Sequence, residues 1–154
     1  MAQFVSNPMT VTMTAPAEPY KRADLMIHGI DHAKASYECR LFINNPDAGP
    51  ETSTADNSYV GSFWIFGHGG CAGGEGHCDP PRERRPFDFR IEHQLTPVSK
   101  IVVITEKLRA LVPAGQQFTV RFVPYIRPDS ADRLPANLVS DVLGFDRADL
   151  VTYQ

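Results

Sequence analysis

The stretch SYECRLFI, residues 36–43, alternates without a break: Tyr37, Cys39, Leu41 and Ile43 fall on one side, Glu38, Arg40 and Phe42 on the other. Successive side chains of an extended strand point to opposite faces, so a period of two predicts a strand with one face in a core. QQFTVRFVPYI at 116–126 repeats the pattern at Phe118, Val120 and Phe122. PFDFRIEH at 86–93 repeats it again, with Phe87, Phe89, Ile91 and His93 set against Asp88, Arg90 and Glu92. ADLMIHGI leads into a turn at 31–34, KIVVIT at 100–105 is β-branched, and SYVGSFWIFGH is an apolar aromatic run too short for a helix. Together these runs predict an all-β fold, an antiparallel β-sandwich of about six or seven strands with one or two short helices.

The 154 residues fit one domain, and 13 prolines and 11 glycines spread along the chain favour short elements broken by turns. Residues 1–21, with Pro8, Pro16 and Pro19, are expected to form an N-terminal arm, apart from the short TVTM run at 10–13. Residues 22–126 carry the sandwich, and 127–154 form a C-terminal extension packed on it. NNPDAGPETSTADN at 44–57 has turn and loop chemistry throughout. EKLRALV has room for one or two helical turns, and Leu138, Val142 and Leu143 approach helical spacing with Gly144 as a stop.

The net charge of −3 and the absence of a long basic run exclude an electrostatic footprint for nucleic acid or an anionic membrane. Arg82, Arg84 and Arg85, interrupted by Glu83, read as a solvated loop. With no basic leader followed by an apolar run, and no run of about 18 apolar residues, the chain is expected in the cytoplasm unless a partner carries it out. That compartment matters for the three cysteines, because reducing conditions disfavour structural disulfides.

The chemically active residue types crowd into FGHGGCAGGEGHCD at 66–79. Gly73, Gly74 and Gly76 let the chain fold back so that Cys71 and Cys78 meet as a disulfide, worth on the order of 2–3 kcal/mol in the chain-entropy picture. The same loop offers His68, Cys71, His77 and Cys78 as a metal-ligand set suited to zinc or copper, although adjacent His77 and Cys78 need a curled loop to reach one ion. Free thiols are the third reading, and a cysteine nucleophile beside a histidine base the fourth, without a readable oxyanion hole. The loop matches no phosphate-binding motif, and no catalytic residue is assigned.

Cys39 reads as a small buried hydrophobe, His28 and His93 as satisfied strand residues, and His32 as a turn residue. Asp88, Glu92 and Glu38 read as a solvated sheet face rather than paired catalytic carboxylates. Phe63, Trp64, Phe66, Phe87, Phe89, Phe118 and Phe122 are expected in the core. Trp64 and Phe66 are the exceptions to watch: consecutive residues of FWIF point to opposite faces, so one aromatic row is either covered or shown to a partner.

Three runs in order, LMIHGIDHAKASYECRLFI, YVGSFWIFGHGG, and RPFDFRIEHQLTPVSKIVVITEKLRAL followed by FTVRFVPYI, resemble the C-terminal β-sandwich of molluscan haemocyanins and of the tyrosinase and polyphenol-oxidase family. The likeness rests on a GSF strand before a turn, an FDR-like strand after it, and a last strand ending near a proline. In that family the copper chemistry belongs to a separate helical domain with six histidines, and the sandwich packs over its pocket. This chain has five histidines, none paired on a predicted helix, so the oxidase reaction does not carry over. The resemblance implies a non-catalytic accessory or shielding module, docking on a copper-oxidase-like partner or on a second copy of itself. The alternative is a metal-binding protein that holds copper or zinc through the 68–78 loop.

Overall fold

The computed structural model describes residues 6–69, 83, 86, 87, 89 and 97–154. Among them are seven strands and three short helices: β1 (Met9–Thr14), β2 (Arg22–Ile30), β3 (Tyr37–Ile43), β4 (Tyr59–Ile65), β5 (Val98–Val103), α1 (Thr105–Leu111), β6 (Gln117–Tyr125), α2 (Pro128–Ala131), α3 (Ala136–Val139) and β7 (Arg147–Tyr153). They form two antiparallel sheets, ordered β1-β6-β3-β4 and β5-β2-β7. The all-β sandwich expected from alternation is the fold.

The sheets close on each other through the predicted inner rows. Tyr37, Cys39, Leu41 and Ile43 of β3, Phe118, Val120 and Phe122 of β6, and Phe63 and Ile65 of β4 meet Leu25 and Ile27 of β2 and Val102 of β5 in one buried cluster. Residues 44–57 are turns and loop, as expected, and they cover the outer face of β3. Arg121 donates from Nε to the Ala48 carbonyl at 2.7 Å, and Phe42, Ala48 and Val123 are buried beneath the loop as a second small cluster.

The ends of the chain enter the sheets. The expected arm contributes β1, in which Met9, Val11 and Met13 pack against the core while Thr10, Thr12 and Thr14 face out, and which pairs with β6 from Met9↔Phe122 to Thr14↔Gln117. The expected C-terminal extension contributes β7, paired along β2 from Arg22↔Tyr153 to His28↔Arg147. The helix expected around Leu138, Val142 and Leu143 stops after one turn. Ser140 is already extended, and Val142 and Leu143 reach the core from non-helical chain. The short polar residues Ser140 and Asp141 that follow favour turns over a second helical turn.

At the other junctions, α1 is tied to β2 where the Ala23 N–H donates to Thr105 Oγ1 at 2.9 Å in a buried position. β2 carries an irregularity between Ile27 and Ile30. There Gly29 has φ 68°, and a side chain at that position would overlap Asp146.

Most of the strand expected at 86–93 lies outside the described residues. Phe87 and Phe89, which are described, are 89% and 85% exposed, so the expectation that they fill the core is corrected. Core membership needs a facing sheet as well as alternation, and both inner faces are filled without them. Trp64 and Phe66 are likewise outside the core, while Phe63, Phe118 and Phe122 are in it.

Phe122 is fully buried and rests against Phe145, ring centroids 4.9 Å apart. Phe122→Ala is expected to destabilise the fold by about 3–5 kcal/mol, read from urea denaturation; a loss below about 1 kcal/mol would mean that the two sheets are not sealed there. Burial pushes the Cys39 thiol well above its ordinary pKa, the Glu38 carboxylate adding to the effect. Cys39 is therefore expected to resist iodoacetamide in native buffer and to react once urea unfolds the chain, and peptide mass mapping that found it modified natively would contradict this burial.

Candidate functional site

Beyond Ile65 the chain continues past the end of β4 and lies against the turn that joins β2 to β3. His68 N–H donates to the His32 carbonyl at 2.8 Å, Gly69 N–H to the Lys34 carbonyl at 2.9 Å, and Gly67 N–H to Ser36 Oγ at 2.9 Å. A β-carbon at Gly67 would overlap the Lys34 carbonyl and the Ala35 backbone, so glycine there permits the close approach of two backbones. The turn is anchored behind: Ala33 N–H donates to Asp31 Oδ1 at 2.9 Å, Ala35 N–H to the Leu138 carbonyl at 2.9 Å, and Lys34 Nζ to the carbonyls of Ser140 at 2.8 Å and Asp141 at 3.1 Å.

This pairing brings His32 and His68 together. Their Nδ1 atoms are 3.0 Å apart, and the rings meet edge to face with centroids separated by 4.8 Å. Phe66 stands edge-on to His68 at 6.1 Å. A hollow of about 200 Å³ is lined by His32, Ile65, Phe66, His68, Val98 and Lys100.

Trp64 and Phe66 occupy alternate positions and are exposed, at 59% and 82%, while Phe63 and Ile65 between and beside them are buried. Trp64 faces a different depression, a groove of about 650 Å³ whose lining includes Tyr37, Glu38, Tyr125, Arg127 and Arg133. Arg40 lies over the Tyr125 ring at 4.1 Å and pairs with Glu38 at 3.0 Å, which fixes that aromatic and neutralises the carboxylate. The Tyr37 hydroxyl is buried with no hydrogen-bond partner among the described residues, and burial pushes its pKa up.

Of the expected metal-ligand set, His68 is in place, whereas Cys71, His77 and Cys78 lie outside the described residues, as does His93. The disulfide reading of Cys71 and Cys78 lies there too. Among the described residues no group of three or more His, Cys, Asp or Glu side chains is arranged to hold a metal ion. The partner that sequence reasoning missed is His32. Its spacing of 36 residues from His68 is set by the β3–β4 hairpin register, and no local motif signals it.

His28 is satisfied, as expected of a strand histidine, with Nε2 3.3 Å from Asp149 Oδ2, which also accepts from Arg147 Nε at 2.9 Å. Ser99 Oγ lies 3.5 Å from His28 Nδ1, at the limit of a hydrogen bond. Serine, histidine and aspartate thus line up across the outer face of the three-stranded sheet, a row that would need oxyanion donors beside it for acyl transfer. Glu38 is buried and paired with Arg40 instead of lying on a solvated sheet face.

No protein-family model matches this sequence, and no curated protein does. Solved structures do match. Recombinantly expressed latent aurone synthase, a polyphenol oxidase, aligns with a TM-score of 0.53 and 15% identity over 96% of this chain and 25% of that one. The same enzyme co-crystallized with hexatungstotellurate(VI) gives 0.51 and 12%, and latent aurone synthase from natural source gives 0.50 and 12%, each over 94% of this chain and 24% of theirs. The chain therefore spans about a quarter of the length of these proteins. Its fold is similar to that quarter of a polyphenol oxidase.

Proposed function

We propose that this sandwich is a shielding module, which docks through the exposed aromatic end of β4 on a tyrosinase-like copper oxidase domain and limits access to its pocket. The observation that carries the reading is the pair Trp64 and Phe66, presented side by side on a rigid strand end. Large aromatics left in water at neighbouring positions favour burial against another surface, and aromatic anchors dominate the energetics of such contacts. The fold likeness supplies the partner class, since the aligned quarter belongs to polyphenol oxidases described as latent. The mechanism is steric, so no residue of this chain takes part in oxidation. Self-association through the same aromatic end is the competing way to cover it.

The test pairs the chain with a separately prepared tyrosinase-type catalytic domain and follows diphenol oxidation by absorbance. Equimolar chain is expected to suppress turnover, and Trp64→Ala with Phe66→Ala to raise the concentration needed at least about tenfold with an unchanged melting temperature. Turnover of phenols by the isolated chain supplied with copper would sink the proposal, as would a double variant that suppresses as well as the parent. Sedimentation of the chain alone reads the self-association alternative through a dimer lost in the same variant.

A further inference from the structure

We propose that His32 and His68 form a chelating site for a single Cu(II) ion. This site is independent of the docking reading and shares only His68 with the cysteine-containing set suggested by the sequence.

The argument is geometric. With metal–imidazole bonds of about 2.0–2.1 Å, the 3.0 Å separation of the two Nδ1 atoms subtends about 90–97° at a shared ion. That is the angle between neighbouring ligands in the tetragonal arrangement preferred by Cu(II), whereas a tetrahedral ion asks for a wider spacing. The rings agree. Two imidazoles aimed at one ion in this way have centroids about 4.7 Å apart, and rings joined head to head by a straight N–H···N bond have them about 5.3 Å apart. The observed separation is 4.8 Å.

The site is also built in advance. The carbonyl of His32 accepts the backbone N–H of His68, so the two ligand-bearing segments are held in register by the main chain, and the turn carrying His32 is anchored by Asp31 and the 138–141 segment. Preorganised ligands bind without the entropy cost of assembling them. In the metal-bound state both rings carry their proton on Nε2, which frees both Nδ1 lone pairs. The hollow beside the rings gives the ion room, and the Lys100 ammonium at its rim sits on a flexible stem that can turn outward.

The experiment uses the full chain with Cys71→Ser and Cys78→Ser, which removes both thiols as ligands and as reductants of copper. Cu(II) is titrated by calorimetry, and the nitrogen couplings are read by electron paramagnetic resonance. The expected result is one ion per chain with two imidazole nitrogens. His32→Ala, His32→Gln and His68→Ala, each checked for folding by circular dichroism, are expected to weaken binding at least about tenfold and to remove one nitrogen. Stoichiometric binding absent at micromolar protein overturns the proposal, as does a folded His32 variant that keeps the parent affinity and nitrogen count. Suppression of the oxidase domain by the metal-free chain is measured separately, so either idea can fail without the other.

Discussion

The burial of β3 on both faces is the constraint on which the rest of this structure depends. Its inner row meets the opposite sheet, and its outer Phe42 lies under the 44–57 loop beside Val123. It is also hydrogen-bonded along both edges, to β4 and to β6. A strand enclosed in this way cannot slip by one residue without exchanging Cys39 and Leu41 for Glu38 and Arg40 in the core. The registers of β4 and β6, and through β6 that of β1, follow from it. The charged pair on its outer face is kept by geometry: Glu38 is nearly buried, and Arg40 meets both that carboxylate and the face of Tyr125.

What alternation could reveal was decided by whether one face of a segment is wet. β3 and β6 read correctly because their apolar rows are long and unbroken. β1 gives only a weak sequence signal, because its apolar row consists of Met9, Val11 and Met13 between three threonines on an edge strand with a half-exposed inner face. β7 was hidden for a similar reason. All its residues from Ala148 to Thr152 are half-buried, so no face stands out, and its role comes from pairing with β2, whose inner residues Leu25 and Ile27 are buried. Phe87 and Phe89 show the converse failure, where a clear alternation belongs to residues that face solvent.

The candidate site was harder to read than the fold because its defining contact is non-local. FGHGG advertised its glycines, and flexibility was their obvious meaning. In the folded chain Gly67 instead serves close packing, since the backbone at 66–69 runs directly against 32–36. His32 carried no signal beyond its polar turn, and only the length of the hairpin between it and His68 brings them together. The exposed aromatic row was easier to anticipate, because Phe63 and Ile65 claim the inner face and strand geometry sends Trp64 and Phe66 to the other.

One structural device holds both features. The hydrogen bonds from residues 67–69 to 32–36 fix the chain just past β4, and with it the orientation of Phe66 on one side of Gly67 and of His68 on the other. An aromatic anchor on a fraying strand end would lose about 0.5–1.5 kcal/mol of binding for each side chain ordered on contact. Here that ordering is completed on folding, by backbone bonds that require no particular side chain at 66 or 68. Those described backbone bonds place no demand on the side chains at 66 and 68, so the large, chemically active residues there are set by the contacts their rings make, His68 with His32 and Phe66 at the exposed strand end.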